Sequence, residues 1–127
     1  MNKASVSGLG VFLTARYVPD RGHIIWIDFI PQSGHEQAGR RPAVVLSPLS
    51  YNRIGLSLCC PVTNRSKGYP FEVILPRGLP IGGVVLADQV KNVDWQARNA
   101  EFIGKVTSSL VHAIVDRILT LSEHGHA

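Results

Sequence analysis

Between Gly34 and Ser47 the sequence reads GHEQAGRRPAVVLS, placing one imidazole (His35), one carboxylate (Glu36), one amide (Gln37) and two guanidiniums (Arg40, Arg41) directly ahead of a short apolar run. Acid-base groups beside two fixed cations suit binding of, or chemistry on, a negatively charged substrate, with phosphate the obvious class, because a guanidinium offers phosphate oxygens a planar fork of donors. A second polar stretch, TNRSKGYP from Thr63 to Pro70, adds a hydroxyl, an amide and the cations Arg65 and Lys67, and Asp88 and Gln89 close a later apolar run. If the two loops face each other together with Asp88 and Gln89, they form a basic cleft with mixed acid-base groups.

Such a cleft has what metal-free RNA cleavage requires. The attacking 2′-hydroxyl must lose a proton, the leaving 5′-oxygen must gain one, and the extra negative charge on phosphorus must be stabilised. Glu36 or His35 could handle protons, Arg41 could stabilise charge, and Thr63 could donate a hydrogen bond to a phosphate oxygen. Arg40, Arg65 and Lys67 could grip flanking phosphates with salt-sensitive affinity, alongside the polar Gln37, Asn64, Ser66 and Gln89. Tyr69, Phe71 or Trp95 could stack unpaired bases. Each residue also has a plain structural reading. His35 can be a solvated loop histidine, Glu36 and Arg41 can pair with each other to shape the loop, and Arg65 and Lys67 can be a solvated turn. Trp26, Phe29, Tyr69, Phe71 and Trp95 can be core or interface residues.

The elements that must position these groups are short strands. Val18 to Gly22 is turn chemistry, and HIIWIDF from His23 to Phe29 is rich in β-branched and aromatic residues, with Ile25, Ile27 and Phe29 on one face. Gly34 and Gly39 bracket the first polar loop, and Pro42 leads into a second strand to Ser47. A turn or single helical turn at Pro48 to Gly55 precedes a third strand, Leu56 to Val62, apolar on both faces. Further strands are expected at Phe71 to Leu75, Val84 to Ala87, Asn92 to Arg98 and Ala100 to Val106. Thr107 suits the N-cap of a helix whose stripe is Leu110, Val111, Ile114, Val115, Ile118 and Leu119. The tail from Ser122 reads as loose. The pattern predicts a mainly β fold, a small partly open antiparallel barrel with a C-terminal amphipathic helix.

The chain has 127 residues, which suits one domain, here 16–127. Residues 1–15 lack sustained periodicity and read as a mobile extension; the apolar stretch from Leu9 to Leu13 is too short and too broken by Gly10 for a good signal peptide, and no stretch approaches a membrane span. Hydrophobic residues make up 45% and charged residues 17%, a globular composition, and the net charge of +4 favours an anionic partner. Cys59 and Cys60 are adjacent, so in a strand they point to opposite faces and neither a mutual disulfide nor a shared metal site is expected; a reducing, cytoplasmic setting fits. The five histidines are dispersed, with no metal-binding spacing, and no glycine-rich phosphate loop opens a helix, so neither a metal nor a nucleotide cofactor is expected.

RYVPDRGHIIWIDF, GHEQAGRRPAVVLSP, CPVTNRSKGYPFEV, GVVLADQVKNVDWQAR and the closing helix together resemble the MazF/PemK family of toxin endoribonucleases, over Tyr17 to about Leu121. The resemblance implies an SH3-like barrel, a homodimer, and metal-independent cleavage of single-stranded RNA, chiefly mRNA, at short sequences, leaving 2′,3′-cyclic phosphate and 5′-hydroxyl ends. It also implies a small acidic antitoxin whose disordered tail covers the RNA cleft. Arg41 and Thr63 match the arginine and threonine given the catalytic role in MazF-like members, and Glu36 matches the glutamate of their loop. His35 and Asp88 match two residues proposed for catalysis in the Kid/PemK branch, but Leu86 stands where that branch has its arginine. The departure favours an assignment centred on Arg41 and leaves the general base open between Glu36, His35 and no protein group. Two rivals are a catalytically weak member that binds RNA or antitoxin for regulation, and a gyrase-directed toxin of related fold.

Overall fold

A computed structural model describes residues 16–30, 34, 36 and 38–123; the extension expected at residues 1–15 lies outside the described residues, as do His35 and Gln37. The elements among them are, in chain order, β1 (His23–Phe29), β2 (Gly39–Val45), α1 (Leu49–Asn52), β3 (Leu56–Thr63), β4 (Glu72–Ile74), β5 (Val84–Leu86), β6 (Lys91–Asp94), β7 (Glu101–Lys105) and α2 (Ser108–Glu123), with a 3-10 turn at Ala87–Gln89. All pairings are antiparallel, in the spatial order β4-β5-β3-β2-β1-β7. On its edge away from β2, β3 serves two partners: Leu56 to Cys59 pair with β6, and Val62 and Thr63 pair with β5. β4 and β7 end the order without pairing with each other, so the expected barrel is open.

Two apolar clusters explain why the central strands read as continuous hydrophobic runs. Val44, Cys60, Val62, Val85, Val111 and Ile114 form one beneath α2, and Ile25, Ile27, Phe29, Ala43, Val45 and Trp95 belong to the other. Alternate residues of β2 therefore enter different clusters, and both faces of its second half are buried. Each fully buried aliphatic side chain contributes about 1.5–3 kcal/mol over leaving it exposed. The β2–β3 connection is fixed by polar contacts. Buried Asn52 donates from Nδ2 to the carbonyls of Pro19 (2.7 Å) and Ser47 (2.9 Å), accepts from the Ser47 hydroxyl, and receives at its own carbonyl the Trp95 indole N–H (2.7 Å).

Four expectations shift. β2 begins at Gly39, three residues before Pro42. From Gly39 to Pro42 the strand pairs only with β1, and its pairing with β3 starts at Ala43, so the proline sits on a local edge where its missing N–H breaks no ladder. The strand expected to run to Arg98 stops at Asp94, because Asp94 turns the chain: its carboxylate accepts from Ala97 N (3.0 Å), its carbonyl accepts from Arg98 N (3.0 Å), and Asn99 takes a positive φ of 58°. α2 continues to Glu123, so Ser122 is helical; no helix breaker precedes Gly125 in the sequence. Leu119 leaves the buried stripe and is 53% exposed, while Val111 and Ile114 carry the packing. At the start of α2 the Thr107 hydroxyl accepts from Leu110 N (3.2 Å), as an N-cap should.

Candidate active site

Because β2 reaches back to Gly39, both arginines stand on a strand, and successive strand residues point to opposite faces. The two therefore have different fates. Arg40 lies opposite Asp28 of β1 and donates to Asp28 Oδ1 (3.1 Å), Glu101 Oε1 (2.6 Å) and the Asn99 carbonyl (2.8 Å), tying β2 to β1 and β7. Asp28 also accepts from Asn99 Nδ2 (2.9 Å); that hydrogen bond and the one from Arg40 hold its carboxyl below the usual range. Arg41 is half-buried, its Nε donates to the Ala38 carbonyl (2.9 Å), and none of the ion pairs among the described residues includes it. Glu36 stands 3.6 Å from Lys91 Nζ, which links the first loop to β6.

Thr63 ends β3 and is buried, with Oγ1 accepting from Arg65 N (3.2 Å). The β2–β3 ladder runs as far as Ala43 opposite Pro61. Two residues further along each strand stand Arg41 and Thr63, so the register carries the guanidinium and the hydroxyl toward the same end of the sheet. The chain entering β5 crosses there so closely that a Cβ on Gly83 (φ +117°) would lie 2.3 Å from the Thr63 carbonyl oxygen. Only glycine fits that crossing.

Two clefts are lined by residues from this end of β3. One, of about 580 Å³, is bounded by Arg40, Arg41 and Asn64 together with apolar Trp26, Val62 and Ile81. The other, of about 260 Å³, is bounded by Thr63, Arg65, Lys67, Asp88 and Gln89, with Tyr69 and Phe71 forming a ring pair 5.1 Å apart. Consecutive residues Thr63 and Asn64 belong one to each. Partial withdrawal from water raises the Asp88 carboxyl above its usual pKa, and the negative charge of Glu72 adds to the shift. The expected residues thus fall into two groups that share a strand end, with Glu36 at the Lys91 side and Ser66 turned toward Glu72.

Glu72 and Gly83 also line these clefts and Lys91 pairs with Glu36, and the sequence reading did not single them out. Glu72 reads as a strand residue in FEVIL, yet a lone carboxylate inside an apolar run is itself a signal, since burying it requires partners. It has them: Oε1 accepts from the Ser66 hydroxyl (2.7 Å) and Gly68 N (3.2 Å), and Oε2 accepts from Lys67 N (3.0 Å). Among the described residues, no cluster of three or more His, Cys, Asp or Glu side chains has metal-binding geometry, and no helix is long and apolar enough to cross a membrane.

A family model described as PemK-like, MazF-like toxin of type II toxin-antitoxin system matches residues 20–121. The endoribonuclease toxin MazF of Escherichia coli K12 is 53% identical over 110 residues, covering 86% of this chain and 98% of that protein. ChpB, an endoribonuclease toxin of the same strain, is 36% identical, covering 82% of this chain and 94% of its own length. Among solved structures, MazF from Deinococcus radiodurans superposes with a TM-score of 0.82 at 50% identity, over 85% of this chain and 99% of that one. The same organism's MazE–MazF complex gives a TM-score of 0.76 at 49% identity, over 86% and 99% of the two chains. With an open antiparallel barrel, a closing helix and paired clefts at one strand end, the chain belongs to the PemK-like, MazF-like toxin family of type II toxin-antitoxin systems.

Proposed function

We propose that this chain is the toxin of a toxin-antitoxin pair, an endoribonuclease that cuts single-stranded mRNA at short sequences without a metal ion. The observation that carries the proposal is the β2–β3 register, which brings Arg41 and Thr63 to one strand end flanked by both clefts, with Arg65 and Lys67 beside Thr63. A strand laid along both clefts would bring its scissile phosphate to that strand end. The 2′-oxygen then bonds to phosphorus as its proton leaves, the bond from phosphorus to the 5′-oxygen breaks, and that oxygen takes up a proton. The products are a 2′,3′-cyclic phosphate and a 5′-hydroxyl. Arg41 stabilises the charge on the phosphorane oxygens and the Thr63 hydroxyl donates to one of them. Asp88 lines the same cleft as Thr63 and is the candidate to handle the proton of the leaving oxygen, while Glu36 and His35 are the candidate bases. Arg65, Lys67, Asn64, Ser66, Gln37 and Gln89 bind the flanking RNA. Arg40 lines the larger cleft and contributes by fixing β2 through its ion pairs with Asp28 and Glu101.

The toxin acts as a homodimer in the cytoplasm, and a small acidic antitoxin occupies the RNA clefts. The MazE–MazF complexes among its structural relatives and the +4 net charge support such a partner. Incubating the purified protein with a long transcript in EDTA should give ordered fragments with cyclic-phosphate ends. Arg41→Ala should lower the cleavage rate by about 10²–10³-fold while leaving fold and assembly intact. Full activity in that variant would remove Arg41 from the mechanism. Intact RNA with a retained gel shift would instead mark a regulatory binder, and intact RNA with inhibited supercoiling a gyrase-directed toxin.

A further inference from the structure

All seven residues from Asn64 to Pro70 are exposed, so the loop joining β3 to β4 is not held by burial of its own side chains. It nonetheless presents Arg65, Lys67 and Tyr69 to one cleft and Asn64 to the other. A loop without a core contribution needs another anchor, and it has one in Glu72, which is 8% exposed at the start of β4. The carboxylate reaches back across the turn to take the Ser66 hydroxyl, Lys67 N and Gly68 N, spanning both oxygens, while the Glu72 amide donates to the Tyr69 carbonyl (3.1 Å). Gly68 completes the turn at a φ of +72°. The three loop donors engage both carboxylate oxygens, while the charge itself remains and is felt at Asp88.

We propose that Glu72 is a positioning residue for RNA recognition: its carboxylate sets the conformation of residues 64–70, and through it the placement of Arg65 and Lys67 against the RNA backbone. This rests on the assignment of the clefts as an RNA site. Lys67 is the most direct case, since its backbone N–H is held at 3.0 Å while its side chain lines the cleft. Consistent with a carboxylate that serves as an acceptor, those backbone and hydroxyl donors hold Glu72 below the usual carboxylate range.

The test uses the intact chain. Glu72→Gln keeps the shape but turns one of the two acceptor atoms into a donor, so it cannot satisfy Ser66, Lys67 and Gly68 together. With a wild-type cleavage site as substrate, KM should rise about tenfold with kcat within a few-fold, because binding is loosened and the reacting groups stay in place. Affinity for the same oligonucleotide carrying a 2′-deoxy sugar at the cut should fall in parallel, and discrimination against single-base changes should weaken. Glu72→Asp, which keeps the charge but draws the carboxylate back by one methylene from Ser66, Lys67 and Gly68, should show the same split at smaller size and guards against a Gln variant that fails to fold. Unchanged KM and site preference in both variants would overturn the inference, as would a proportional loss of active protein with unaltered KM. Failure of the wild-type protein to bind or cut any RNA would instead remove the assignment on which it rests.

Discussion

The two arginines of Gly39–Val45 show how far neighbouring residues of one type can diverge. Strand alternation sends Arg40 into an ion-pair cluster with Asp28 and Glu101 and leaves Arg41 beside the cleft with its Nε on the Ala38 carbonyl. At the residue scale the most consequential polar group of the scaffold is Asn52, whose side chain satisfies two carbonyls and one hydroxyl with no exposure to water. Truncation leaves these buried partners unpaired. Asn52→Ala should therefore lower stability by about 3 kcal/mol, read as a drop in the urea midpoint with unchanged slope. A midpoint within error of the wild type would show that the network can be replaced by water.

At the scale of elements, β3 organises the molecule, since it pairs with β2 on one edge and divides the other between β6 and β5. The crossing of Gly83 against Thr63 is the tightest constraint on that arrangement. Gly83→Ala should displace the start of β5, lower stability by about 2–3 kcal/mol and shift Thr63 out of place. A thermal melt should fall by several degrees and cleavage should drop in the protein that remains folded; an unaltered melt would mean that the backbone relaxes. The sequence allowed β1, α1, β3 and the cap of α2 to be read almost to the residue, because β-branched runs, turn residues and a threonine before an apolar stripe are local signals. It did not show β2 beginning ahead of Pro42 or β6 stopping at Asp94, since the first depends on which neighbour is absent and the second on a side chain bonding its own turn. The polar loops were legible as loops, and several of their residues line the two clefts. Their division into two clefts was not legible, nor was the capture of Arg40 by Glu101, because these depend on contacts between residues far apart in the chain.

For the whole molecule, the open barrel leaves apolar side chains uncovered at several places, one of them a single segment where Ile54 is 73% exposed, Leu56 40% and Leu58 37%, the last two on the same side of β3. Contiguous exposed aliphatics of this kind suit association with a second copy, so light scattering at micromolar concentration should report twice the monomer mass, and a monomer would contradict the homodimer. The loop from Asn64 to Pro70 has the opposite relation to the scaffold. It is exposed along its whole length and fastened mainly through a carboxylate that grips backbone amides and one hydroxyl, contacts that are largely indifferent to the identity of the other side chains. Mutational drift at Arg65, Lys67 or Tyr69 is thereby insulated from folding, so the chemistry this loop offers its cleft can change while the scaffold keeps its stability.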